Sequence, residues 1–395
     1  MDFSICSTSY SHHKFPACSN KKESESEMKK ILILFVLFFL VGCEDSQNLE
    51  DVSLLVGSGI DAGKKGEVHL TQQIIIPSGG GGSEATRPSY KNYYTKGATI
   101  QESIRDIALK TSPVMSNHQR VLIFSKNALD KHPFDVWINE YIRDDNTRRS
   151  ALVFVTRESA KKILSTGSKE DIPSNKIFEI ANNKRSSNKI LEPITLGQVS
   201  AKLQSDGSFA VQDLKIKDGE LSLDGVEVID DGKPIGHMTP KDVSHLNWLI
   251  GDVQGGVVPA TYKGEPISFE IFHMVRKEIK TKIKNGKLHF DISLVCKGRI
   301  AENWYRKENS FKKRDLEEME RAIEKQVKKD VEDIIHKLQT KYKTGVAGLY
   351  QYVQIQHPKY WKKHSKEWGK EFSEAEINYD VNIEVIDFGT KGSTS

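Results

Sequence analysis

The sequence predicts an α+β fold laid out in three successive regions, and three observations carry that prediction. Turn dipeptides of the hairpin type, Asp206-Gly207, Asp218-Gly219, Asp231-Gly232 and Asn285-Gly286, separate short alternating apolar runs, as antiparallel strands require. Leu316, Met319, Ile323, Val327, Val331, Ile334, Ile335 and Leu338 recur at spacings of three and four, the stripe of one long amphipathic helix. The 395 residues are 37% hydrophobic and 28% charged, enough apolar side chain for more than one core and too much for a wholly disordered chain.

The first region, 43–192, reads as mixed α/β. Val52 to Ile60 is a strand that closes in a turn over Gly59-Ile60-Asp61-Ala62-Gly63. Val68, Leu70, Gln72, Ile74 and Ile76 alternate, so 67–76 is a second strand, stopped by Pro77. Ser78 to Ser83 is a glycine-rich flexible loop. Ile100, Ile104, Ile107 and Ala108 fall at helical spacing after Thr99, and Pro113 ends that run. Short strands at 121–124 and 152–155 alternate with helices at 134–142 and about 157–165, which gives the order β-β-α-β-α-β-α. Ser, Asn, Lys and Pro are concentrated over 166–192 and mark a boundary, with one helix expected inside it at 173–183.

The second region, 193–262, reads as small and β-rich, with strands at 199–203, 209–214, 221–229 and 234–238 and a helix over 241–249. The third, 263–390, opens on two long strands, 269–284 and 288–299, that flank Asn285-Gly286. Leu288, Phe290, Ile292, Leu294 and Cys296 share one face. The long helix follows, and Tyr379, Val381, Ile383 and Val385 form a last alternating strand. An antiparallel sheet packed against that helix is the expected arrangement.

The compartment is read from residues 28–43, MKKILILFVLFFLVGC. Lys29 and Lys30 precede an apolar run of 11 residues, Ile31 to Val41. A span of the hydrocarbon core needs about 20, so the run matches the apolar stretch of an export signal. Leu40-Val41-Gly42-Cys43 fits a bacterial lipobox: a branched apolar residue, two small or apolar residues, then cysteine. In that reading a diacylglyceryl group is attached to the Cys43 sulfur and a signal peptidase cuts between Gly42 and Cys43. Two acyl chains anchor stably where one is marginal. An ordinary secretory signal, or a short anchor helix with a chance cysteine, is the plainer alternative. Residues 1–27 lack periodicity, so Met28 is expected as the true start, and what precedes it is either an upstream extension or a disordered segment.

Little else in the chain points to chemistry. The net charge of +4, from 58 basic and 54 acidic side chains, argues against a polybasic nucleic-acid binder. Four cysteines exclude a disulfide scaffold. With Cys43 lipidated, Cys296 reads as a small buried hydrophobe. Cys6, Cys18, His12 and His13 have poor spacing for a metal, as do His237, His245 and His273. Gly57 to Gly63 resembles a phosphate loop only faintly, because another strand follows where a helix is needed. Asp230-Asp231 reads as a solvated turn pair. Residues 297–370 hold 19 Lys and Arg against 11 Asp and Glu, interleaved with Trp304, Tyr350, Trp361 and Trp368. They read as a solvated face plus core aromatics, or as a contact for anionic lipid or an acidic partner loop. No catalytic residue, metal or cofactor is expected.

The features in order resemble one family. The lipobox is followed by Asn48-Leu49-Glu50-Asp51, a strand ending Gly59-Ile60-Asp61, Gly97-Ala98-Thr99-Ile100 and Gln119-Arg120-Val121-Leu122-Ile123-Phe124. Then come Tyr141-Ile142-Arg143-Asp144-Asp145-Asn146-Thr147-Arg148, Leu223-Asp224-Gly225-Val226, Pro234-Ile235-Gly236, Trp248-Leu249-Ile250-Gly251 and His357-Pro358-Lys359-Tyr360-Trp361. From Met28 to Gly389 this resembles the Ger(x)C family, the lipoprotein C subunits of spore germinant receptors. The resemblance implies three mixed α/β domains and no enzyme activity, with the lipidation site at Cys43. It also implies anchoring at the outer face of the spore inner membrane, and assembly with A-type and B-type integral-membrane subunits in nutrient-triggered germination. Glu44 and Asp45 stand where many members have Trp and Asp, which leaves the lipid site intact. The competing expectation is a substrate-binding lipoprotein of an importer, and a third is a lipid-anchored hydrolase.

Overall fold

Alternation along the chain sorts into two sheets. The computed structural model describes residues 52–387 apart from Lys65, 77–88, 168–170, 206–207 and 306–312. In the first half β1 (Ser53–Ala62), β2 (Val68–Ile76) and β3 (Ser89–Gly97) are followed by helix α1 (Ile100–Arg105) and the two-residue β4 (Val114–Met115). Then come β5 (Val121–Ser125), α2 (Lys126–Lys131), α3 (Phe134–Arg143), β6 (Leu152–Thr156), α4 (Ala160–Leu164), α5 (Pro173–Ala181) and α6 (Leu196–Ser205). Next are β7 (Phe209–Lys217), β8 (Glu220–Asp230), β9 (Lys233–Met238) and α7 (Pro240–Ile250). The first sheet runs β3-β2-β1-β5-β6-β7-β8-β9, with β4 pairing β1. Its centre, β1-β5-β6-β7, is parallel, and antiparallel strands flank it on both sides.

The parallel centre is buried on both faces, as the apolar runs of β5 and β6 demand. Leu122, Phe124, Val153 and Val155 turn toward α2, α3 and α6, whereas Val121, Ile123 and Phe154 turn toward α4 and α5. Strands 209–238, expected in a separate middle region, continue this sheet.

The second sheet is built from β10 (Val257–Tyr262), β11 (Glu265–Lys284), β12 (Lys287–Asn303) and β13 (Glu376–Asp387). The first three are antiparallel, and β13 joins β12 in parallel after the chain has crossed through α8 (Lys313–Lys337). Helix α8 lays Met319, Ile323, Val327, Val331 and Ile334 into the core of that sheet, each fully buried. Three short helices, α9 (Tyr350–Gln356), α10 (Pro358–His364) and α11 (Trp368–Ser373), close its end. The expected C-terminal sheet against a long helix is therefore present, and Val257–Tyr262 belongs to it through pairing with β11.

Three local expectations change. Gly59 to Ala62 is strand, and the turn comes later, with Gly63 N–H donating to Glu67 O. The glycines of β1 are there for packing, since a Cβ on Gly57 would lie 2.0 Å from Ser174 Oγ and one on Gly59 2.9 Å from the Ala160 Cβ. Residues 199–203, expected as strand, lie in α6. A reciprocal cap starts that helix: Gln198 N–H donates to Thr195 Oγ1, and Thr195 N–H donates to Gln198 Oε1 at 2.9 Å. Strand β3 was not expected, because Tyr, Asn and Lys alternate there in place of aliphatic residues. The signal segment, Gly42, Cys43, the 78–83 loop and Asp206-Gly207 lie outside the described residues.

Candidate functional site

The order of the first sheet creates a switch point. From β1 the chain goes one way to β2 and β3, then crosses to the other side of β1 for β5 and β6. In open α/β sheets the crevice outside the carboxyl ends of the strands at such a reversal is where ligands bind. A cleft of about 690 Å³ lies there, lined by Asp61 and Ala62 at the end of β1, Ser125 at the end of β5, Asn127 just after it, and Arg157 to Ser159 after β6. Its remaining wall includes His69, Tyr94, Lys96, Asp106, Lys110 and Lys161.

Register sets the face these side chains share. Asp61, His69 and Lys96 pair across β1, β2 and β3, and Thr71 pairs Tyr94. Directly paired residues of antiparallel strands put their side chains on one face. Asp61 is spent on structure: its two oxygens accept the N–H groups of Ala160 and Lys161 at 2.9 and 3.0 Å, at the start of α4. Glu158 is spent likewise, accepting from Ile216 N–H at 2.8 Å and from the Lys162 ammonium. Lys161 Nζ stands 4.0 Å from the centroid of the Tyr94 ring, a cation–π contact. The Tyr94 hydroxyl lies 3.0 Å from Ser165 Oγ.

Behind Arg157 the wall continues into a buried ion-pair network. The β7–β8 pairing slips between Gln212 and Leu214, where Asp213 faces Asp224 and Gly225. Such bulges re-aim side chains. Gly225 sits at φ +87, and a Cβ there would lie 2.0 Å from Met238 O, so glycine permits the slip. Arg157 Nη2 reaches Asp213 Oδ2 at 2.6 Å and Asp224 Oδ2 at 3.3 Å, and its Nε reaches Glu227 Oε1 at 3.4 Å. Lys215 pairs with Asp224, and His237 Nε2 lies 3.4 Å from Asp213 Oδ2. Burial pushes Asp213 above the usual carboxylate range. Burial, with Asp213 alongside, pushes Glu227 up to about 7.

The ligating atoms of Asp213, Asp224 and His237 lie within 4.8 Å of one another, close enough to share a cation. Arg157 and Lys215 already neutralise those carboxylates, so the donor set favours an internal salt-bridge cluster over a metal centre. Sequence spacing did not link these three residues, because the bulge and two strand registers bring them together.

The other candidates scatter. His245 lies 3.3 Å from Asp330 on α8, and burial lowers its basicity. His273 is exposed on β11. Asp230 accepts from Ser208 Oγ at 2.5 Å, and Asp231 is an exposed turn residue. Cys296 is fully buried in the second core, as its alternating strand implied. Of the C-terminal aromatics, Tyr350 stacks on Trp361 at 5.5 Å and Trp361 packs edge-on against Trp368 at 5.5 Å, whereas Lys359, Lys362 and Lys363 are exposed. That stretch is a core with a solvated rim. Among the described residues no helix is long and apolar enough to cross a membrane.

Residues 45–216 match the family described as "Spore germination protein N-terminal domain", and 224–389 match "Spore germination B3/GerAC like, C-terminal". The junction between them falls at the β7–β8 hairpin, inside one continuous sheet. Spore germination protein B3 of Bacillus subtilis is 34% identical over 91% of this chain and 98% of its own length. Spore germination protein A3 of the same organism is 37% identical over 92% and 99%. The crystal structure of the GerBC protein superposes with a TM-score of 0.61 at 30% identity, covering 87% of this chain and all of that one. With the mixed first sheet, the helix-backed second sheet and almost the whole length accounted for, this chain belongs to the spore germination B3/GerAC-like family.

Proposed function

We propose that the chain is the lipid-anchored, non-catalytic C-type subunit of a nutrient germinant receptor. It is held at the outer face of the spore inner membrane by a diacylglyceryl group on Cys43, and it docks on A-type and B-type integral-membrane subunits. The observation that carries this reading is one of position. The family match starts at residue 45, two residues past a lipobox cysteine that ends a compact export signal. The folded family body thus begins where the processed lipoprotein would begin. Two acyl chains hold such a body at high local concentration beside membrane partners, so weak contacts suffice for assembly.

An importer's substrate-binding lipoprotein calls for two similar α/β lobes. The two sheets here differ in strand number, in direction and in the helices that back them. The test is Cys43→Ala in the native host. The expected result is loss of the protein from the membrane fraction and slowed germination. Retention in the membrane with full germination, or mass spectrometry showing an unmodified cysteine at 43, overturns the reading.

A further inference from the structure

The cleft at the carboxyl ends of β1, β5 and β6 holds more available positive charge than its composition suggests. We propose that it binds a small organic anion, of carboxylate or phosphate chemistry, through the ammonium groups of Lys96 and Lys161. Four cations line it, Lys96, Lys110, Arg157 and Lys161, against three carboxylates, Asp61, Asp106 and Glu158. Availability differs from that count. Asp61 and Glu158 each already accept two hydrogen bonds from the protein. Arg157 is turned inward onto Asp213, Asp224 and Glu227. Lys110 donates to Tyr94 O at 2.7 Å across the outer edge of β3, and Asp106 shares its turn.

Lys96 and Lys161 have no carboxylate partner among the described residues. Tyr94 and Lys96 are two apart on β3 and so share its face. Lys161 stands over the Tyr94 ring, which brings the second ammonium to the same face as the first. His69 lies beside Lys96 in the β2–β3 register; its buried Nε2 makes no hydrogen bond and stands 3.6 Å from Glu67 Oε2. The Tyr94 ring gives the ligand an apolar wall. A cleft of about 690 Å³ lies within the range of small-molecule sites. The topological position and the unpaired ammonium groups are independent observations, and they point to the same place. Neither depends on membrane attachment.

The test is calorimetric titration of the full chain, purified in detergent at low ionic strength, with inorganic phosphate and separately with succinate. Lys96→Met, Lys161→Met and a control pair, Lys362→Ala with Lys363→Ala, are run beside it, with circular dichroism confirming the fold of each. The expected result is saturable binding of one probe that weakens about tenfold or more in each cleft variant and is unchanged in the control pair. Binding of phosphate alone assigns phosphate chemistry, and binding of succinate alone assigns carboxylate chemistry. No binding of either probe overturns the proposal. Equal weakening in the control pair also does, since that is non-specific attraction to surface lysines. Both results leave the anchoring at Cys43 untouched, so failure here is distinguishable from failure of the proposed function.

Discussion

Glu320 on α8 accepts the backbone N–H of Val385 on β13 at 2.8 Å, and one turn along the helix Glu324 accepts that of Ile383 at 3.0 Å. The spacing explains the match. Four residues of helix advance about 6.0 Å and two residues of strand about 6.6 Å, so carboxylates at i and i+4 meet alternate N–H groups of one strand edge. β13 is the last strand of its sheet, and a free edge is a template for unwanted pairing. The long helix thus buries the sheet face with its apolar stripe and caps the edge with its acidic flank.

Removing that cap exposes the edge. Glu320→Ala should destabilise by about 1–2 kcal/mol, the loss of a charge-assisted bond to a backbone N–H. Glu320→Gln keeps an acceptor. The carboxyl of Glu320 is held above its usual range by burial first, then by Glu324, Glu317 and Glu384, with Val385 N–H opposing. A carboxyl raised on folding costs stability at neutral pH and costs nothing below its unfolded value. Glu320→Gln should therefore be at least as stable as the parent near neutrality. Urea unfolding of both variants checks this, and an unchanged midpoint for Glu320→Ala contradicts the cap.

The glycines of β1 make a second, steric prediction. Gly59→Ala places a methyl 2.9 Å from the Ala160 Cβ and 3.2 Å from the Ala160 carbonyl carbon, under a helix that Asp61 fixes from the same strand. Overpacking of this kind costs about 1–3 kcal/mol. A thermal midpoint within error of the parent would show that α4 moves freely on the sheet.

These same glycines show where the sequence could and could not be read. The α8 stripe and the β11–β12 hairpin were legible because period and turn type are local: Met319 to Ile334 repeat at helical spacing, and Asn285-Gly286 takes left-handed φ values. Gly57 to Gly63 misled because glycine in a strand and glycine in a turn look alike until the neighbour that needs the space is known. Residues 199–203 misled through chance alternation, although Thr195 and Gln198 carried the capping signal. The cleft could not be read. Asp61, His69 and Lys96 meet through two strand registers, and Asp213 reaches Arg157 through a bulge.

Cys296 supplies a chemical probe of the second core. Burial pushes its thiol up to about 12, and its residue is fully enclosed. The thiolate is the reactive form, so Cys296 in the folded protein should not react with Ellman's reagent near pH 8. In a chain that begins at residue 43 and has Cys43 lipidated or replaced, Cys296 is the one remaining thiol, and it should label fully in concentrated guanidinium. Prompt labelling without denaturant would mean that β12 opens locally.

The Arg157 network predicts a pH dependence with a definite sign. Glu227 goes from an ordinary carboxyl of 4.5 to about 7 on folding, so the folded chain holds a proton that the unfolded chain has lost. Stability from this residue is therefore greatest below the unfolded value and falls as pH rises from about 4.5 through about 7. Glu227→Gln should gain on the parent near pH 8 and lose that advantage near pH 5. Arg157→Ala works in the opposite sense on the same groups. It strips Asp213 and Glu227 of their shared cation at 2.6 and 3.4 Å and leaves buried carboxylates uncompensated. Loss of one partner of a fully buried pair costs about 3–5 kcal/mol; the Arg157 side chain is 44% exposed, so solvent screening brings the loss below that range, and acid should soften it further as the carboxylates protonate. Urea midpoints across that pH range, for the parent and both variants, decide the matter. Parallel curves for all three would mean that Arg157, Asp213 and Glu227 do not titrate as one unit.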